Sequence, residues 1–137
     1  GLFYIYDNSA LTSITHAATQ TFSNYRAESC NLTGNHDMSM VTGLGGQFYI
    51  YENSLLTSIT HAASTEVFTK YHAYQCNLTG NHDVSMLSGL AGAFWVFQNP
   101  LLTSITHTPS TEVFIEYYAA SCNLTGNHDI HVTKLRW

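Results

Sequence analysis

Eight residues, Cys76-Asn77-Leu78-Thr79-Gly80-Asn81-His82-Asp83, occur three times in this chain, at 30–37, 76–83 and 122–129. A second block, 48–61, has relatives that begin at Phe3 and Phe94. A chain built this way must make one structural unit and stack it, so the repeat constrains the fold before any local propensity does.

The unit is smaller than the 46-residue spacing of the copies. The polar landmark of each block falls at Asn8, Cys30, Asn53, Cys76, Asn99 and Cys122, at intervals of 22, 23, 23, 23 and 23 residues. Counted back from each Cys, apolar residues stand at 8, 5 and 3 before it and 2 after it: Phe68, Tyr71, Ala73 and Leu78 around Cys76, with the same arrangement around Cys30 and Cys122. The Asn blocks follow with Gly45, Phe48, Ile50 and Leu55 around Asn53, and Ala91, Phe94, Val96 and Leu101 around Asn99. This resembles the leucine-rich repeat pattern, L-x-x-L-x-L-x-x-[N/C]-x-L at a period within 20–29. The Leu-Thr-Gly and Asn-x-x-Leu-Thr-Ser-Ile phrases are most similar to BspA-like repeats of bacterial cell-surface proteins. The resemblance implies a recognition scaffold.

The expected fold is a β-rich α/β solenoid, a coil of six ~23-residue turns with one parallel sheet, in a single domain over 1–137. Successive strands would lie about 4.8 Å apart, and the Asn or Cys would satisfy backbone groups where the chain bends out of the strand. Ser and Thr before Glu and apolar residues predict short helical pieces around 64–71 and 110–118. Gly43-Leu44-Gly45-Gly46 and Gly89-Leu90-Ala91-Gly92 read as tight returns, and residues 130–137 as a C-terminal cap. Gly1 opens mid-repeat, so the chain is expected to be processed or a piece of something longer.

Two rival folds stay open. If 46 residues are the true unit, four strand-like runs per copy (47–52, 56–61, 66–74 and 83–88) describe a β-propeller with three blades per chain, closed by a second chain. A β-trefoil would also explain a threefold count.

Composition narrows function. Four Lys and Arg in 137 residues and a net charge of −5 leave no basic patch for nucleic acid. No apolar run is long enough to span a membrane, so no membrane insertion is expected. Three cysteines on alternate turns, roughly 10 Å apart, are too distant for disulfides and read as buried thiols. Eight histidines include columns at 16, 61, 107 and at 36, 82, 128. Two-turn spacing prevents a column from sharing an ion, and only a cross-column pair such as His61 with His82 could. Buried, hydrogen-bonded histidines are therefore expected, with no metal and no cofactor. Asp37, Asp83 and Asp129 read as turn caps. Asn31, Asn77 and Asn123 match the glycosylation acceptor pattern, though the repeat explains them without sugar. No nucleophile triad, phosphate loop or paired carboxylates are present, so no enzyme activity is expected.

The candidate ligand-binding residues are those that alternate with the inward set. They are Tyr4, Tyr6, Arg26, Glu28, Tyr49, Tyr51, Glu52, His72, Tyr74, Gln75, Trp95, Phe97, Gln98 and Tyr118, with Asp7, Ser29, Ala120 and Ser121 beside them. Here the copies differ most, and large rings supply contact area at low entropy cost. The expected function is a non-enzymatic recognition or adhesion module, extracellular or at the cell surface, presenting this face to a protein or glycan. The alternatives are a sugar-binding lectin on a propeller or trefoil, and a structural repeat stacking end to end; the expected homo-oligomer is an end-to-end stack, or a closed dimer if the fold is a propeller.

Overall fold

The computed structural model describes residues 1–64, 67–87, 89–107, 113–125, 131–132 and 135–136. They form a parallel β-solenoid of about five turns. One wall is a seven-stranded sheet, in the order β1 (Leu2–Tyr6), β2 (Gln20–Glu28), β4 (Val41–Tyr51), β6 (Phe68–His72), β8 (Leu90–Trp95), β11 (Glu116–Tyr118) and β13 (Leu135–Arg136). The facing wall is made of parallel pairs: β3 (Thr33–Met38) with β5 (Leu55–His61), β7 (Thr79–Asp83) with β9 (Leu101–Thr106), and β10 (Val113–Phe114) with β12 (His131–Val132). Every pairing among the described residues is parallel. Propeller blades and trefoils are built from antiparallel neighbours, so neither rival describes this chain.

Register follows the 23-residue template. Phe3 pairs with Tyr25, Tyr25 with Phe48, Phe48 with Tyr71, Tyr71 with Phe94 and Phe94 with Tyr117. These rings stack inside the coil, with centroids 4.7, 5.5, 4.9, 5.1 and 5.1 Å apart in turn. The next inward column alternates in size, with Ile50 and Val96 between Ala27, Ala73 and Ala119, all buried. Large and small side chains thus interdigitate between adjacent turns, which is how a thin coil reaches interior packing density.

The landmarks do what the bend requires. The residue before each one is left-handed: Asp7, Ser29, Glu52, Gln75, Gln98 and Ser121 have φ between 48° and 56°. That reversal turns the next side chain inward. The Asn53 amide donates to Ala27 O at 3.0 Å and Tyr51 O at 2.9 Å, and Asn99 repeats this with Ala73 and Phe97 at 3.0 and 3.1 Å. In the other turns a thiol takes over, with Cys122 Sγ donating to Val96 O at 3.2 Å. The three cysteines are free, and burial pushes the Cys76 thiol up to about 12.

Several expectations are corrected. No helix occurs among the described residues, so they are all-β rather than α/β. Where 64–71 and 110–118 are described, Phe68–His72, Val113–Phe114 and Glu116–Tyr118 are strands, because each pairs in parallel with strands of the adjacent turns. The described residues make about five turns, and much of the expected sixth turn and cap lies outside them. The glycine-rich segment 43–46 is no return; strand β4 runs through it. Gly46 is needed because a Cβ there would sit 1.9 Å from Ser23 O, at φ +62°. The Asn turns also depart from the template. Leu55 and Leu101 are about half exposed, and Leu56 and Leu102 are fully buried instead. A tight turn explains the offset, since Leu56 N bonds Asn53 O at 2.9 Å and Leu102 N bonds Asn99 O at 3.0 Å. Likewise Leu44 and Leu90, rather than Gly45 and Ala91, lie opposite Phe22 and Phe68.

Candidate functional site

Strand alternation sends two of the expected columns to the outer face of the seven-stranded sheet. Tyr4, Arg26, Tyr49, His72, Trp95 and Tyr118 align across β1, β2, β4, β6, β8 and β11. Beside them run Tyr6, Glu28, Tyr51, Tyr74 and Phe97. The left-handed bends place Asp7, Glu52, Gln75 and Gln98 as an exposed rim along one edge. A third outward column, Asn24, Gln47, Lys70, Ala93 and Glu116, forms the other edge. Sequence reasoning missed it because it counted outward positions only within 5 residues of each landmark. Period-2 alternation carried one step further back would have found it.

The rings on this face pack on one another. Tyr51 and Tyr74 stack at 4.5 Å and 6°, and Tyr74 and Phe97 at 4.3 Å and 13°. Tyr118 leans across from the neighbouring column to lie 4.7 Å from Phe97, over the space that Ala120 leaves. His72 is stacked flat on Trp95 at 4.3 Å and 1°, with Tyr49 edge-on at 4.8 Å. That enclosure leaves His72 only 6% exposed, so it is a filler under the surface, unlike the contact residue its outward position suggested. Burial, assisted by Lys70, lowers its pKa to about 4. Tyr4 and Tyr6 stay open, at 53% and 59% exposure.

Within the two aromatic columns and their rim, from β1 to β11, charge is confined to one end. Arg26 donates to Glu28 at 2.7 Å and to the Tyr51 hydroxyl at 3.3 Å, and its guanidinium lies 5.9 Å from the Tyr49 ring centre. Burial, the largest influence, works against ionising Glu28, but the hydrogen bonds from Arg26 and Tyr51 and the Arg26 charge together hold the carboxyl below its usual range. Glu52 accepts from Ser29 Oγ at 2.7 Å.

Because each stacked ring covers its neighbour's face, Tyr51, Tyr74, Phe97 and Trp95 offer mainly ring edges and hydroxyls to solvent. Comparisons with family models, curated proteins and solved structures found no match. The chemistry of the face must therefore be read from the residues themselves.

The other candidates are placed as follows. His61 and His82 do come together, but through a tyrosine: the Tyr71 hydroxyl lies 2.7 Å from His61 Nε2 and 2.9 Å from His82 Nε2. Tyr25 bridges His16 and His36 at 3.1 and 2.7 Å, and His107 bonds Tyr117 at 3.2 Å. Each tyrosine thereby ties a Cys turn to the Asn turn before it, so these contacts recur every 46 residues on the 23-residue template. Among the described residues no group of three His, Cys, Asp or Glu could hold a metal ion. Asp37 and Asp83 accept from Ser39 N and Ser85 N at 2.8 and 2.9 Å, capping turns. Asn31 and Asn77 are half-buried and Asn123 is exposed. His128 and Asp129 lie outside the described residues.

Proposed function

We propose that this chain is a non-enzymatic recognition module of the leucine-rich-repeat kind, extracellular or at a cell surface, whose aromatic sheet face contacts a protein. The observation that carries this reading is the half-exposed ladder of Tyr51, Tyr74 and Phe97, on the surface where the copies differ most. Inward positions that vary little between copies build the coil, and the more divergent outward ones are free to fit a partner. A glycan reading draws less support. Sugar rings dock on an open aromatic face, and here those faces are spent on each other. Ring edges and hydroxyls suit the side chains and carbonyls of a protein surface.

The test is a paired protein and glycan array with the intact chain and a Tyr74→Ser/Phe97→Ser variant, with melting measured on both. Protein binding lost while melting is largely kept supports the reading. Binding to glycans alone, or protein binding unchanged in the variant, rejects it. A variant that melts far lower and an intact chain that binds nothing would assign the rings to holding the sheet together.

A further inference from the structure

We propose that the face is polarised along the coil axis, and that its occupant is a protein segment basic at one end and apolar at the other. The inference rests on the reading of the aromatic face as a recognition surface, and adds the chemistry of the partner and its orientation.

Two halves of one sheet carry different chemistry. On β1, β2 and β4, four tyrosines (4, 6, 49 and 51) surround the Arg26–Glu28 pair, and the rim beside them bears Asp7 and Glu52, both exposed. Three carboxylates there meet one guanidinium, and that guanidinium is already held by Glu28 at 2.7 Å. On β6, β8 and β11 the outward residues of the two aromatic columns are His72, Tyr74, Trp95, Phe97 and Tyr118, and the rim is Gln75, Gln98 and Ser121. His72, enclosed by Tyr49 and Trp95, is neutral at pH 7. Lys70 and Glu116 on the opposite edge are one of each sign and add no net charge. The anionic half therefore selects cations, and the neutral half selects aliphatic or aromatic groups that displace water from ring edges.

Strand spacing sets the reach. From β1 to β11 there are five intervals, about 24 Å, which an extended segment of roughly seven residues spans. Such a segment lies along the axis, across the strands, with its basic end over Asp7 and Glu52 and its apolar end over Trp95 and Phe97. Reversing it would place Lys or Arg over uncharged rings and leave the carboxylates unpaired, so one orientation is preferred.

The experiment uses fluorescence anisotropy with three synthetic peptides and the full chain. The first peptide has Lys and Arg at one end and Leu and Ile at the other. A second replaces the basic residues with Glu, and a third has the composition of the first with the charges interspersed. The first peptide should bind best, more weakly as salt is raised, and about three- to tenfold more weakly to an Asp7→Asn/Glu52→Gln variant. The Tyr74→Ser/Phe97→Ser variant should abolish its binding. Equal binding of the second or third peptide, or no loss in the Asp7/Glu52 variant, overturns the polarity and leaves the recognition reading standing. Binding unchanged by loss of the rings overturns both. No binding of the first peptide to the intact chain overturns the inference alone, since the protein array decides the broader reading. The peptide comparison needs no variant to fold.

Discussion

The hydroxyl of Tyr71 sits 2.7 Å from His61 Nε2 in a site closed to water, with His82 Nε2 at 2.9 Å on its other side. One hydroxyl has one proton, so it donates to one imidazole and accepts from the other, and both rings are neutral. Burial lowers the pKa of His61 well below 6.5, and lowers His82 and His36 to about 4. For Tyr71 the same burial holds the phenol well above its ordinary value.

Acid should therefore loosen the coil. Unfolded histidine binds protons near pH 6.5, whereas the buried ones do so only near pH 4, so the unfolded state holds more protons across that window. Stability is complete above pH 6.5 and falls with acidification by about 1.4 kcal/mol per pH unit for each such histidine. Melting followed by circular dichroism at pH 7.5, 6 and 5 should show a steep drop. An unchanged melting temperature between pH 7.5 and 5 would falsify this account of the buried histidines.

Removing that hydroxyl isolates the two rings. Tyr71→Phe keeps the ring stacked between Phe48 and Phe94 and leaves two buried nitrogens without their partner. A loss of about 2–4 kcal/mol is expected from urea unfolding. A loss below half a unit of that scale would mean that water enters the coil and replaces the hydroxyl.

The two landmark types should be partly exchangeable. Asn99→Ala removes both donors to Ala73 O and Phe97 O and the acceptor of Leu78 N, at about 2–4 kcal/mol. Asn99→Cys should cost less, because Cys76 and Cys122 already serve carbonyls at the same bend. The comparison is by melting temperature under reducing conditions, and equal losses for Ala and Cys would show that the thiols are fillers.

Glycines should differ sharply in tolerance. A Cβ at Gly92 would lie 2.1 Å from the Thr69 carbonyl oxygen, so Gly92→Ala must push two strands apart and cost several kcal/mol, roughly 3 or more. At Gly80 nothing lies within 4 Å and only the left-handed φ of +64° is at stake, for about 1–2 kcal/mol. Thermal unfolding of both variants, measured together, separates steric from conformational cost.

How much of this was legible depended on whether a residue's task was local or shared between turns. The landmark spacing and the −5 and −3 positions specified the ring ladder, because a strand alternates at a fixed period whatever it packs against. Tyr25, Ala27, Phe48 and Ile50 are buried where that rule put them. The left-handed bends carried no signal, since Ser29, Glu52 and Gln75 are ordinary residues forced there by the chain on either side. Leu55 and Leu101 misled for the same reason: a turn after each Asn shifts the inward position by one residue, and only its hydrogen bond reveals it.

By itself, then, the sequence determined the unit, its period and which residues of the strand before each landmark point inward or outward, all of which follow from backbone periodicity along one strand. Only the tertiary structure decided which outward residues reach solvent and which buried groups meet. His72 disappears beneath Tyr49 and Trp95, the rings of Tyr74 and Phe97 close on each other, and Tyr71 finds His61 and His82. Those relations join residues on different turns, and their distances exist only once the coil has stacked.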